Sequence, residues 1–179
     1  MVIFLNGASS SGKSTLSKAL QKELADVYLH VSVDTYLSQI AQSDLDNAAL
    51  IEERFSNIVS GFHKSAAAVA LAGNHVIVDY VLQQPEWLEE CVKAFEGLTV
   101  VFVGVHCSID VLEEREVQRG DRKIGAARFH VERVHRHQTY DLEIDTSSLS
   151  LDDCVSKITS YIKSGIEPKA FEGLRAQYS

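Results

Sequence analysis

The chain has 179 residues, 45% of them hydrophobic and 23% charged, which suits one globular domain with a core of its own. Its formal net charge of −8 argues against a nucleic-acid partner, because such proteins usually present a basic face to the phosphate backbone. No apolar run is long enough to span a membrane, and no signal-peptide pattern is present. Cys91, Cys107 and Cys154 show no metal or disulfide spacing, so we expect a cytoplasmic protein.

The first predicted elements are a short apolar strand and a helix, joined by a loop of small residues. The loop fits G-x-x-x-x-G-K-[ST], the phosphate-binding P-loop, in which backbone N–H groups cradle an anion. The pattern predicts that Lys13 reaches the β- and γ-phosphates and that the Ser14 hydroxyl holds Mg²⁺. The predicted nucleotide-binding residues here are Gly7, Ala8, Ser9, Ser10, Ser11, Gly12, Lys13, Ser14 and Thr15.

Strand-like and helical patterns then alternate along the chain. The further strands are predicted at residues 28–33, 75–79, 99–105 and 142–145, and the helices at residues 47–72, 85–95, 109–119 and 151–164. This alternation predicts an α/β fold, a doubly wound five-stranded parallel sheet of the P-loop nucleoside triphosphate hydrolase or kinase type. We expect a kinase domain over residues 1–164, with residues 165–179 as a tail or peripheral helix.

Two aspartates end predicted strands, where ligands bind in such sheets. Asp34 follows the second strand and is a candidate to orient and deprotonate a hydroxyl, although an N-cap is the alternative interpretation. Asp79 follows three aliphatic residues, as in a Walker-B strand whose carboxylate supports Mg²⁺. A turn role or a substrate contact is the alternative for Asp79.

A basic cluster follows the fourth strand and contains Arg115, Arg119 and Arg122. We interpret it as a lid whose guanidinium groups stabilise charge on a transferring phosphoryl group, against the alternative of a solvated helix end. Thr146 follows the fifth strand, where a nucleotide base would lie. The guanine-reading sequence Asn-Lys-x-Asp is absent, which favours ATP.

The histidines His130, His135 and His137 have a spacing that fits no common metal site. We therefore expect them to be exposed helix residues, one of which faces the substrate in an alternative interpretation. The aromatic side chains of Phe55 and Phe62 are expected in the core.

Together these segments resemble the chloramphenicol phosphotransferase family of small P-loop kinases. The more specific segments are Glu114-Arg115-Glu116, Arg119-Gly120-Asp121-Arg122 and the run from Tyr140 to Thr146. The resemblance implies that ATP donates its γ-phosphoryl group to a hydroxyl of a small molecule, with Asp34 as base and Arg119 and Arg122 in the lid. Tyr80 stands where the family often has a second acidic residue, and residues 37–55 match poorly, so the acceptor stays open.

The hypothesis is thus an ATP- and Mg²⁺-dependent phosphotransferase that acts on a hydroxyl-bearing small molecule, an antibiotic among the candidates. Catalysis is assigned to Asp34, Lys13, Arg119 and Arg122, and metal support to Ser14 and Asp79. The alternatives are a nucleotide or metabolite kinase with Arg54, Lys64 or Arg128 as acceptor cations, a toxin acting on a sugar nucleotide, and a nucleotide-gated switch. The oligomeric state is left open.

Overall fold

The computed structural model describes residues 1–120, 125–137 and 139–178. The strands are β1 (Val2–Gly7), β2 (Tyr28–Ser32), β3 (His75–Tyr80), β4 (Val100–His106) and β5 (Leu142–Asp145). The helices are α1 (Lys13–Glu23), α2 (Val33–Leu37), α3 (Gln42–Leu45), α4 (Ala48–Leu71), α5 (Pro85–Ala94), α6 (Ile109–Arg119), α7 (Ala126–Val134), α8 (Leu151–Lys163) and α9 (Ala170–Gln177).

The strands form one parallel sheet in the order β2-β3-β1-β4-β5. Successive residues of β1 point to opposite faces, so Phe4 packs on one side and Ile3 and Leu5 on the other. Both faces are covered, which explains why β1, β3 and β4 are continuous apolar runs rather than alternating ones. The predicted doubly wound α/β fold is confirmed.

Different helices cover the two faces of the sheet. One layer places α4, α5 and α9 over the side of Phe4 and Phe102, and the other places α1 and α8 over the side of Ile3 and Ile77. Phe171 of α9 lies with its ring centroid 5.3 Å from that of Phe4 and 5.0 Å from that of Phe102. Residues beyond 164 therefore supply part of the core.

Several predicted boundaries are confirmed at the level of single residues. Pro85 occupies the first turn of α5, Gly73 has φ of 95° just after α4, and the Ser150 side chain accepts a hydrogen bond from the Asp153 amide at the start of α8. The second strand ends one residue early, because Val33 already belongs to α2. A helix after the second strand, expected to start at Thr35, is present as α2 and starts at Val33. The helix expected to contain the histidines is present as α7, which ends at Val134. The short helix α3 was not predicted.

At the carboxyl edge of the sheet, β1 and β4 approach each other closely. A Cβ atom built on Gly7 would lie 2.4 Å from the Val105 carbonyl oxygen, so the chain at this position accepts no side chain. This contact brings the P-loop directly over the carboxyl end of β4, next to the point where the strand order reverses at β1. Within the described ranges, no helix is both long and apolar enough to traverse a membrane.

Candidate active site

The P-loop is shaped to surround an anion. Gly12 has φ of 89° and is the N-cap of α1, and Ser10 has φ of 64°, which is rare for a residue with a side chain. The Lys13 ammonium group is buried and donates to the Ala8 carbonyl at 2.7 Å. The buried Ser10 Oγ has no hydrogen-bond partner among the described residues. The donors gathered at the start of α1 fit a phosphate group.

Asp79 joins the P-loop to the sheet through several contacts. It lies within β3, is 7% exposed, and its Oδ2 accepts a hydrogen bond from Ser14 Oγ at 2.6 Å. His30 Nε2 lies 3.3 Å from the same oxygen, and Lys13 Nζ lies 4.0 Å from Oδ1. Burial acts to raise the pKa of Asp79, but the hydrogen bonds from His30 and Ser14 and the charge of Lys13 outweigh it, and the pKa is lowered. Asp79 is therefore a carboxylate at neutral pH.

The Ser14–Asp79 pair suits a magnesium ion bound together with a nucleotide. Mg²⁺ prefers oxygen ligands and needs few from the protein when phosphates and waters supply the rest. A hydroxyl and an ionised carboxylate in hydrogen-bond contact, beside a buried lysine, form such a donor set. The fit rests on the chemistry of these side chains.

Asp34 lies in the first turn of α2 and lines the same cavity as Lys13 and Asp79. The N-cap of α2 is Ser32, so the alternative interpretation of Asp34 as an N-cap is wrong. A helix start this close to the end of β2 fixes the aspartate at the carboxyl edge of the sheet. Its role as the base that accepts a hydroxyl proton stays a prediction.

The arginines predicted for the lid have different surroundings. Arg115 on α6 donates to Thr146 through Nη1 to Oγ1 at 3.1 Å and through Nη2 to the carbonyl at 3.0 Å. Arg119, at the end of α6, is exposed and lines the cavity. Arg122 lies outside the described residues. Arg115 therefore has a bracing function as well as its place in the cavity wall.

Thr146 connects the end of β5 to the P-loop. Its Oγ1 donates to the Ser11 carbonyl at 2.9 Å, and its amide donates to the His106 carbonyl at 3.0 Å. Since its carbonyl also accepts from Arg115, both backbone polar groups are already engaged within the protein. Its predicted contact with a nucleotide base stays a prediction, and the geometry adds a brace between α6 and the P-loop.

Glu116 anchors α7, a role that was not predicted from the sequence. Its side chain is 1% exposed, and its two carboxylate oxygens accept hydrogen bonds from the amides of Gly125 at 2.7 Å and Ala127 at 2.9 Å. These amides belong to the first turn of α7, where a negative charge is favourable. One residue of α6 thus holds the chain on the far side of residues 121–124.

We expect Glu116→Gln to lower the free energy of unfolding by about 1–3 kcal/mol, because an amide cannot accept from both N–H groups and loses the charge. Chemical denaturation at pH 7 measures this difference. Glu114→Gln, an exposed neighbour that contacts Gln118, is the matched control. Equal midpoints for the two variants would show that Glu116 does not anchor α7.

Asn6 is a second buried brace, and no role was predicted for it from the sequence. Its Nδ2 donates to the Val134 carbonyl at 2.7 Å and to the Tyr140 hydroxyl at 2.8 Å, while its Oδ1 accepts from the Leu82 amide at 2.9 Å. The Tyr140 ring packs so closely on Gly104 that an added Cβ would lie 2.8 Å from it. A polar residue at the end of an apolar strand was the available signal.

The expectation that His135 and His137 are exposed helix residues is wrong. Both follow the end of α7 and are partly buried, and the His135 ring stacks on His106 with centroids 4.0 Å apart. His135 Nδ1 lies 2.6 Å from the Tyr140 hydroxyl. Burial, with His106, His137 and Lys13 nearby, lowers the pKa of His135 to about 3, and burial lowers the pKa of His137 to about 4.

These pKa values predict loss of stability in mild acid. The unfolded chain binds protons on both histidines below about pH 6.5, whereas the folded chain binds them only near pH 3 to 4. The contribution is therefore complete above pH 6.5 and decreases as the pH falls toward the folded values. Because the rings are only partly buried, we expect about 1 kcal/mol from each between pH 7 and pH 5.

Urea denaturation of wild type and His135→Asn at pH 7 and pH 5 measures the contribution of His135 to this pH dependence. Asn keeps an acceptor near the Tyr140 hydroxyl but does not titrate, so its loss of stability on acidification should be smaller by about 1 kcal/mol. Identical pH dependence in the two proteins would contradict the assignment.

The cavity extends from the P-loop to an aromatic wall, with a volume of about 620 Å³. The wall includes Val33, Phe55, Tyr80 and Trp87, with ring centroids 6.1 Å apart for Phe55–Trp87 and 5.9 Å for Tyr80–Trp87. Phe55 is partly buried against the core, as expected, and it also lines the cavity. Gln83 also lines the cavity, and its buried Oε1 has no hydrogen-bond partner among the described residues.

The cations considered for a phosphorylated acceptor lie elsewhere. Arg54 pairs with Glu53, Lys64 with Glu90 and Arg128 with Glu113, at separations of 3.2, 3.8 and 2.8 Å. None of the three lines the cavity that contains Asp34. The described cationic side chains of the cavity wall, Lys13, Arg115 and Arg119, belong to the P-loop and α6.

Comparisons with known proteins agree with this geometry. The family model described as chloramphenicol phosphotransferase-like protein matches residues 1–163. A Mycobacterium tuberculosis protein named Putative O-phosphotransferase is 28% identical, with 99% of this chain and 88% of that protein covered. A guanylate kinase of a Mycobacterium species is 24% identical, with 90% of each chain covered. The Mycobacterium tuberculosis APS kinase CysC, solved with AMPPNP and APS, has a TM-score of 0.66 at 16% identity, covering 90% of this chain and 96% of its own.

Proposed function

This chain belongs to the chloramphenicol phosphotransferase-like family and is a phosphotransferase, and we propose that it transfers the γ-phosphoryl group of ATP to a hydroxyl of an uncharged small molecule. The observation that carries the proposal is the continuous cavity, which has the P-loop at one end and an aromatic wall at the other. Asp34 lines the same cavity. This arrangement supports direct transfer between two bound molecules.

The P-loop and α6 supply the nucleotide half of the site. Lys13 and the loop amides would bind the β- and γ-phosphates, and Ser14 and Asp79 would hold Mg²⁺, which supplies neutralisation of phosphate charge when bound. Arg119 would stabilise the negative charge that spreads over the oxygens of the phosphoryl group in transfer. Asp34 would orient the acceptor hydroxyl and accept its proton.

The aromatic wall supports an uncharged acceptor with an apolar part. Phe55, Tyr80 and Trp87 offer ring faces, and Gln83 offers an uncharged polar side chain. Tyr80 stays protonated because burial raises its pKa. An acidic acceptor would need cations on this wall, and the described cations of the cavity lie on the P-loop and α6 instead. Chloramphenicol, an uncharged aromatic alcohol, is the first candidate to test.

The guanylate kinase relative makes nucleotide phosphorylation the competing activity. The rate of ADP formation distinguishes alcohol phosphorylation from nucleotide phosphorylation. It is measured with purified protein and MgATP, and one class of candidate acceptor is added at a time. We expect faster release with chloramphenicol or other uncharged hydroxyl-bearing molecules. Stimulation by GMP or by acidic metabolites such as shikimate, with none by uncharged alcohols, would contradict the proposal.

A further inference from the structure

His130 of α7 lies against the P-loop, in a position that its sequence spacing did not indicate. The Ser9 amide donates to His130 Nδ1 at 3.4 Å, and the histidine lines the cavity. The expectation of an exposed helix residue therefore does not describe this side chain. A histidine within hydrogen-bond reach of a phosphate-binding loop is a candidate to contact the phosphate itself.

Contacts from separate parts of the chain fix α7 in this position. Ala127, fully buried on α7, packs in a small cluster with Ala8 of the P-loop and Leu112 of α6. Glu116 holds the first turn of α7, and Asn6 donates to the Val134 carbonyl in its last turn. Because the first and the last turn of the helix are both held, the position of His130 beside Ser9 is built into the fold.

A single peptide group connects His130 with the P-loop lysine. The carbonyl of Ala8 accepts from Lys13 Nζ at 2.7 Å, and the N–H of the same peptide unit, which belongs to Ser9, points to His130 Nδ1. The P-loop lysine contacts the β- and γ-phosphates in this motif. His130 is therefore one peptide group away from the place where the terminal phosphates bind.

The direction of the hydrogen bond defines the protonation of the ring. A backbone N–H can only donate, so Nδ1 accepts and carries no proton. In the neutral imidazole the proton then lies on Nε2, which is a donor. A donor on a ring that lines the cavity would match the negative oxygens of a phosphoryl group and complement Lys13.

We propose that His130 is a catalytic residue that donates a hydrogen bond from Nε2 to the γ-phosphoryl group of the bound nucleotide, an inference that rests on the proposed phosphotransfer. His130 keeps its proton, and the bond broken in the reaction is still the one between the γ-phosphorus and the ADP oxygen. The contact strengthens as charge develops on the oxygens of the phosphoryl group in transfer.

Two substitutions separate the proposed contact from a purely structural role. The amide of His130→Asn lies near the position of Nδ1, whereas the amide of His130→Gln reaches toward the position of Nε2. If Nε2 contacts the γ-phosphoryl group, His130→Asn weakens ATP binding about 10- to 100-fold and leaves ADP binding within about twofold, because a hydrogen bond to a charged group is lost. We expect His130→Gln to retain most of the preference for ATP over ADP.

Isothermal titration calorimetry with ATP and ADP, in the presence of Mg²⁺, measures this discrimination without an acceptor. Glu132→Gln, an exposed position on the same helix, is the control for changes in α7. Equal losses for ATP and ADP, or wild-type discrimination in His130→Asn, would overturn the inference. A structural role of Nδ1 predicts the reverse order, with His130→Asn close to wild type and His130→Gln impaired.

Transfer assays separate failure of this inference from failure of the proposed function. Where wild type phosphorylates an uncharged alcohol, we expect His130→Asn to lower kcat about 100-fold. An unchanged kcat in that variant would overturn the inference and leave the proposed function standing. The opposite failure is also recognisable. If wild type phosphorylates no alcohol, but the His130→Asn variant loses the preference for ATP over ADP, the result would support the contact and contradict the proposed function.

Discussion

Replacing Asp34 with asparagine is expected to reduce phosphoryl transfer about 10²- to 10⁴-fold while ATP binding changes little. The amide keeps the size of the side chain but cannot accept the hydroxyl proton. Asp34 lies in the first turn of α2 and lines the cavity, apart from the loop that would bind the phosphates. Steady-state transfer rates and calorimetric ATP affinity, measured on the same preparation, give the two quantities.

The matched control for this variant is Asp44→Asn. Asp44 is an exposed aspartate in the first turn of another short helix, α3, and does not line the cavity. We expect wild-type transfer from this control. A parallel loss of ATP affinity and transfer in Asp34→Asn would assign Asp34 to nucleotide binding rather than to the acceptor.

Lys13→Met is expected to weaken ATP binding and to lower transfer at least about 10³-fold. Methionine keeps the apolar stem of the side chain but removes the charge that lies 2.7 Å from the Ala8 carbonyl and 4.0 Å from Asp79. A buried cation in contact with the phosphates would stabilise both the bound nucleotide and the transition state, so we expect kcat and ATP affinity to fall together.

Lys18→Met is the control, because Lys18 is an exposed lysine of the same helix, α1. Circular dichroism of both variants checks that the fold is kept. Wild-type ATP affinity in Lys13→Met would contradict the assignment of this loop to the nucleotide phosphates.

The parts of the molecule that the sequence predicted are those with local signals. The P-loop has a fixed spacing of glycine, lysine and serine, and β1, β3 and β4 are apolar because both of their faces are buried. Cap residues such as Ser150 mark their helix by a hydrogen bond three residues away. These features depend on neighbours in the chain, so single-sequence reasoning reaches them.

The residues that were missed depend on contacts between distant segments. Asn6 donates a hydrogen bond to Tyr140, which is far away in the sequence. Glu116 binds the first turn of α7, beyond residues 121–124. Phe55 contacts Trp87 only because α4 and α5 pack together. Nothing in the spacing of His130 indicates that α7 folds back on the P-loop. Tertiary packing determines these positions, and tertiary contacts cannot be predicted from the composition or the periodicity of the sequence.

The most direct test of the proposed function follows the phosphoryl group itself. Protein, Mg²⁺ and ATP labelled with ¹⁸O in the γ-phosphoryl group are incubated with chloramphenicol and a panel of uncharged alcohols, and the products are analysed by mass spectrometry. We expect one alcohol to gain a labelled phosphoryl group while ATP becomes ADP. Label found only in inorganic phosphate, or on a nucleoside monophosphate added as competitor, would contradict it.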